Sequence, residues 1–198
     1  MSVSENIQER FCYQELTGEE RSLFYKMRYQ EYVIDRNWEK PNSDCLERDS
    51  FDEFSYHFGC FKESDGQLVA AARLIDAKRT TLLFEGYTRK PIDRNGLEIS
   101  RFIVRKEKIE KREKCPVRNG LFYVLQQFAE QKSYDYMYAF ITLRYFQALK
   151  RTGVGFLEVI GEAVNFKNNL YLPVSGRVDV IGEYFLTNKL WKLYSVSN

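Results

Sequence analysis

Apolar side chains at Leu23, Phe24, Met27 and Ile34 recur at roughly helical intervals, and the Thr17-Gly18-Glu19-Glu20 stretch ahead of them has the spacing of a capping box. A helix is expected over about 18–35. Pro41, Asn42 and Ser43 break the period and open a loop that runs into the acidic stretch LERDSFDEF. Two apolar runs follow, SYHFGCF and QLVAAARLI, joined by Glu63-Ser64-Asp65-Gly66. That pattern predicts a β-hairpin. LEISRFIV reads as a further strand, and GLFYVLQQFAEQKS as an amphipathic helix through Leu121, Leu125 and Phe128. YDYMYAFIT is the next strand. LRYFQALKRTG has a short helical pattern closed by Gly153, and FLEVIGEAVNF and GRVDVIGEYFL read as two last extended pieces.

This order of elements predicts an α/β (α+β) protein, a mixed sheet with helices on both faces. A strand, crossover helix and strand in the second half are expected to be parallel and right-handed. With 198 residues, no linker-like punctuation, no internal repeat and no low-complexity tract, one domain over 1–198 is expected.

The stretch GLEISRFIV poses a problem. In a regular strand Leu97, Ile99, Arg101 and Ile103 share one face while Glu98, Ser100, Phe102 and Val104 share the other, so Glu98 and Arg101 point apart. For both to serve one site the strand must bulge between them, a device that re-aims side chains beside active sites. The alternative is an ion pair to neighbouring strands.

Composition narrows the partners. Lys plus Arg number 30 against 28 Asp plus Glu, so net charge makes no case for nucleic acid or an acidic membrane. Cys12, Cys45, Cys60 and Cys115 lie far apart without a C-x-x-C pair, which argues against a zinc site or a disulfide framework and fits reduced thiols in a cytoplasmic protein. The N-terminal MSVSENIQERF has no basic-then-apolar run of a signal peptide, and no stretch approaches the length of a membrane span. His57, the single histidine, lies in an apolar strand without a serine or cysteine partner, which favours a hydrogen-bonded core residue. No residues form a metal constellation.

Arg28, Tyr32 and Trp38 in MRYQEYVIDRNW, Glu47, Asp49 and Asp52 in ERDSFD, Arg73 in ARLI, and the EISRF stretch with Glu98 and Arg101 together resemble the pattern of acyl-homoserine lactone autoinducer synthases. RYFQALKRTGVGF is similar to the helix and turn that end the core of GNAT acetyltransferases, so the likeness covers roughly residues 20–156. Closer still is the resemblance to long-chain N-acyl amino acid synthases. It implies the GNAT fold, a mostly antiparallel central sheet splayed between two parallel strands. It also implies an activity: a fatty acyl group passes from the phosphopantetheine thioester of acyl carrier protein to the amine of an amino acid, tyrosine by the resemblance, with no bound cofactor.

That chemistry asks for four things. A base must take the ammonium proton, and Glu98 is the candidate, given burial or a relaying water to raise an ordinary glutamate pKa. The oxyanion needs donors, which the GNAT likeness assigns to backbone N–H groups of the strand that holds Arg101, Phe102, Ile103 and Val104. The ends of the acceptor must be held: its ammonium suits Asp49 and Asp52, and its carboxylate suits an arginine, with Arg28, Arg73 and Arg101 all in contention. Tyr32 and Trp38 are candidates to wall the acyl or aryl pocket. Finally the acyl chain needs an apolar slot, expected between the strands at 97–104 and 134–142 and lined by Met137, Phe140 and Phe146.

The segment VRKEKIEKREKCPVRNG offers almost no glycine before Gly120 to cradle a pyrophosphate, which disfavours coenzyme A as donor. Its Arg105, Lys106, Lys108, Lys111, Arg112 and Lys114 form a basic patch suited to an acidic carrier protein, although a mixed charge run is also an ordinary solvated face. Two other readings stay open: S-adenosylmethionine as acceptor, giving a homoserine lactone, and a GNAT-like domain that only binds carrier protein or lipid.

Overall fold

The computed structural model of the chain describes residues 10–188. Its elements are β1 (Phe11–Glu15), α1 (Glu20–Tyr29), β2 (Ser55–Lys62), β3 (Leu68–Asp76), β4 (Gly96–Val104), α2 (Lys114–Gln131), β5 (Tyr136–Thr142), α3 (Leu143–Arg151), β6 (Glu158–Val159), β7 (Val164–Phe166), β8 (Asn169–Arg177) and α4 (Val178–Thr187). The strands form one eight-stranded sheet in the order β1-β2-β3-β4-β5-β8-β6, with β7 paired to β8. Every ladder is antiparallel except β4–β5, the pair linked by the α2 crossover.

The alternation of β3 sorts the two faces. Ala70, Ala72 and Leu74 pack with Leu97 and Ile99 of β4 beneath Leu121 and Leu125 of α2 and Ile181 and Phe185 of α4. Ala71 and Ile103 pack on the other face with Phe24 and Met27 of α1, and Ile75 joins Leu82, Phe84 and Tyr138 further along that face. Between these two apolar clusters, on the same face, β3 carries Arg73, which is fully buried. A fully buried guanidinium in mid-strand demands partners, and they make the site.

Several sequence-based expectations change. The stretch over 176–186, read as extended, finishes β8 and then becomes α4, because Val178, Ile181, Gly182 and Phe185 recur on one buried helical stripe. β1 carried no expectation. The helix expected from Gly120 starts at Lys114, so the end of the charged run is helical. The first helix passes into a π-helical turn, Gln30–Asp35, and of its capping box one arm forms, Thr17 N–H donating to Glu20 Oε2 at 3.3 Å. Among the described residues, no helix is long and apolar enough to cross a membrane.

Candidate active site

The β4 strand does bulge. Its register against β3 shifts between Ala71 and Arg73, so that Arg101 and Phe102 together oppose Ala72. Arg101 adopts φ 51°, the left-handed region that a non-glycine residue occupies at a cost. The extra residue turns Arg101 onto the face of Glu98 and Ser100, and it returns Phe102 to the opposite face, where its ring meets Phe122 of α2 at 5.1 Å. Parallel pairing with β5 runs only from Gly96↔Tyr136 to Ile99↔Ala139. Beyond Ile99 the two strands have no further pairing, so the gap opens one residue past Glu98.

Arg101 opens onto an ion network collected from four elements. Arg28 of α1 donates through Nε to Glu47, through Nη1 to Asp52 Oδ1 at 2.6 Å and through Nη2 to Asp49 at 3.5 Å. Arg73 donates to Asp49, to Asp52 Oδ1 at 2.8 Å and through Nε to Ser100 Oγ at 2.9 Å. Arg101 Nη2 donates to Glu47 Oε1 at 2.9 Å and to Asp49 Oδ2 at 3.2 Å. Three guanidinium groups thus face three carboxylates. The acidic residues are held by a short 3-10 helix, Ser50–Phe54, whose capping box is closed between Asp49 and Asp52.

His57 of β2, fully buried opposite Arg73 in the β2–β3 register, places Nε2 3.0 Å from Asp52 Oδ1. The expectation of a hydrogen-bonded core histidine matches this environment, although its partner belongs to the site. Burial pushes its pKa down and the Asp52 carboxylate only partly offsets that, so the ring is a neutral donor through Nε2. Burial alone would raise Asp52, but the His57 hydrogen bond and the Arg28 and Arg73 guanidinium groups hold its carboxyl well below the usual range.

Glu98 has the opposite surroundings. It is 1% exposed, and its Oε2 accepts one hydrogen bond, from the Leu83 N–H at 2.9 Å. Burial pushes its carboxyl up to about 8, with that hydrogen bond and the Arg73 and Arg101 charges offsetting only part of the shift.

Rings border this face of the cleft. Tyr32 lies under the Arg101 guanidinium, 4.8 Å from the ring centroid, and stacks on Trp38 at 5.9 Å. On the β5 limb Phe140 stacks with Tyr87 at 6.0 Å and meets Tyr171 at 5.2 Å.

The structure therefore brings Arg28, Tyr32, Trp38, Asp49, Asp52, Arg73, Glu98, Arg101 and Phe140 to one face. Phe102, Ile103 and Val104 form the β4 limb past the end of its β5 pairing. Met137 lies on the far face, buried in the core with Leu121 and Leu125, so it does not share a wall with Phe140, and Phe146 is half-buried on α3 with the Lys150 ammonium 5.5 Å from its ring centroid. Of the basic run, Lys106, Lys108 and Lys111 are exposed, whereas Arg105 pairs with Asp35 and Glu107, and Arg112 pairs with Glu110. Reading the sequence missed Ser100, the Leu83 amide, and the Phe166 and Tyr171 rings. An N–H donor has no sequence signature, and those rings lie far along the chain from Trp38. Among the described residues no group of acidic, histidine or cysteine side chains could hold a metal ion.

A search of curated protein sequences finds no match. Solved structures do resemble the chain. The CoA-dependent acyl-homoserine lactone synthase BjaI, with SAM and isopentyl-CoA, is 14% identical over 92% of this chain and 90% of its own, with a TM-score of 0.71. The AHL synthase LasI is 14% identical over 86% of this chain and 91% of its own, at 0.69. An acyl-CoA N-acyltransferase from Pseudomonas aeruginosa is 16% identical over 85% and 99%, at 0.57. The split sheet is thus that of the GNAT acyltransferases, as the sequence resemblance implied. The model of the autoinducer synthase family matches residues 14–180, most of the sequence, and the chain is an acyltransferase that belongs to that family.

Proposed function

We propose that this acyltransferase moves a long-chain fatty acyl group from the phosphopantetheine thioester of acyl carrier protein to the amine of an amino acid, with tyrosine as the acceptor. The observation that carries the reading is the β4 bulge, which sets an uncharged-leaning Glu98 and a guanidinium side by side at the start of the strand split. In its ionised form Glu98 takes a proton from the acceptor ammonium, and the freed amine attacks the thioester carbonyl. A carboxyl with a pKa of about 8 is matched to that transfer, where an ordinary glutamate is too weak a base. N–H groups of β4 past Ile99, which have no β5 partner, are the donors for the oxyanion. The C–N bond forms, the C–S bond breaks, and the pantetheine thiolate leaves and is protonated.

Exposure distinguishes the three arginines. Arg28 and Arg73 side chains are fully buried, whereas Arg101 keeps 23% of its side-chain surface, so Arg101 is the one we assign to the acceptor carboxylate. Asp49, 25% exposed, is the carboxylate of the network that an incoming ammonium reaches. Lys106, Lys108 and Lys111 remain solvent-facing to steer an acidic carrier protein. No cofactor is required.

A second reading has its own support. The family model and the BjaI complex with SAM favour S-adenosylmethionine as acceptor, and rings such as Tyr32 and Trp38 suit a sulfonium through cation–π attraction. Incubating the purified chain with acyl carrier protein loaded with palmitate, and either tyrosine or S-adenosylmethionine, separates the two by mass spectrometry. Acyl-tyrosine is the expected product; acyl-homoserine lactone alone would replace this proposal with the second.

A further inference from the structure

The β7–β8 hairpin extends the β5 limb, since β8 pairs with β5 from Tyr136↔Arg177 to Thr142↔Tyr171, and its tip reaches across the cleft. Phe166 pairs with Asn169, and the two residues between them, Lys167 and Asn168, take φ 48° and 60°, the geometry of a tight primed turn. From this tip Lys167 Nζ donates to the Trp38 carbonyl at 2.7 Å, a contact between residues 129 positions apart. The Phe166 ring meets Trp38 edge-on at 6.3 Å and Tyr171 edge-on at 5.9 Å.

These contacts complete an arc. It leaves Arg101 on the β4 limb, passes through Tyr32, Trp38, Phe166 and Tyr171, and ends at Phe140 on the β5 limb. Each member touches the next, and Glu98 lies at the vertex from which both limbs diverge. Phe166 itself is 46% exposed and joins none of the three core clusters, so packing of the fold does not account for it. A large ring on a tethered hairpin, facing rings and spanning the two limbs of a cleft, is placed to meet a ligand.

We propose that Phe166 and Tyr171 form the outer wall of the acceptor pocket and select amino acids with a flat aromatic or large apolar side chain. The inference rests on the acyl-to-amine reading above. Glu98 and Arg101 take the backbone end of the acceptor, which leaves its side chain to extend toward the arc. The hairpin offers that side chain ring surface, since the Lys167 ammonium is engaged by the Trp38 carbonyl. A small side chain entering the arc leaves the rings unfilled.

The test uses the full chain, acyl carrier protein loaded with palmitate, and tyrosine, phenylalanine, leucine and alanine as competing acceptors, with kcat/KM measured for each. In Phe166→Ala and Tyr171→Ala the tyrosine-to-alanine ratio is expected to fall at least ~10-fold, within the range a pocket contact provides. Phe166→Leu keeps the bulk and loses the flat face, so it should lower the tyrosine-to-leucine ratio even if the alanine variants unfold. Ratios unchanged in all the variants that fold, with the wild type still acylating amino acids, overturn the hairpin's role and leave the acyl-transfer reading standing. A wild type that acylates no amino acid overturns both.

Discussion

Asp52 and Glu98 are 8% and 1% exposed and face the same side of the sheet, so desolvation acts on both in the same direction. Asp52 Oδ1 accepts from Arg28, Arg73 and His57, and its Oδ2 accepts from the Asp49 N–H, so the anion is favoured despite burial. Glu98 accepts one backbone N–H, and its carboxyl rises to about 8. The difference is made by donors, and it divides the labour: the saturated carboxylate fixes the guanidinium groups in place, while the undersupplied one is left able to exchange a proton.

The sharpest way to break this comparison is Glu98→Gln. In the proposed reaction it removes the base while keeping shape and an amide oxygen for the Leu83 N–H, so kcat/KM should drop by about 10²–10⁴ with the fold intact by circular dichroism. Asp52→Asn attacks the other member. It leaves Arg28, Arg73 and His57 around a neutral group, and about 3–5 kcal/mol of stability should be lost, read as a shift in the urea midpoint.

The pH dependence of stability should separate the two by sign. The folded pKa of Glu98 lies above its unfolded value, so folding is favoured most below the ordinary glutamate range, and the advantage drains as pH rises toward about 8. Asp52 does the reverse, contributing above the ordinary aspartate range and losing its contribution as the solution is acidified. Melting curves of Glu98→Gln between pH 5 and 8 should therefore be flatter than wild type, within the neutral range of those scans.

His57 gives the smallest effect. His57→Leu removes one donor from Asp52 and should cost about 1–2 kcal/mol and raise the acceptor KM, whereas His57→Gln, which carries an N–H at comparable reach, should restore most of the KM. A purely structural histidine would lower the melting temperature in both variants without moving KM.

Much of this site was legible in the residues, and the reason is local. The Glu98–Arg101 spacing conflicts with the two-residue period of a strand, so a common site required a bulge, and the bulge is present. Arg28, Tyr32, Trp38, Asp49 and Asp52 lie close together along the chain, and their pattern survives as a resemblance. The hairpin wall was invisible because the Lys167–Trp38 contact joins distant segments that show no shared signal in the chain. The α4 helix is hidden in the sequence, since Val178, Val180 and Ile181 favour strands intrinsically, and only packing against α2 decides for the helix. The face of Met137 depends on a register that the sequence does not show; its parity with Leu97 puts it in the far core.

The central claim is that the Glu98 carboxyl titrates near 8, so that its ionised form is basic enough to take the ammonium proton, and this titration can be followed directly by carbon-13 NMR of glutamate-labelled protein, with Glu98→Gln identifying the resonance. A midpoint near 8 is predicted, against about 4.5 for an unperturbed glutamate. A Glu98 signal that titrates with the exposed glutamates would contradict the account.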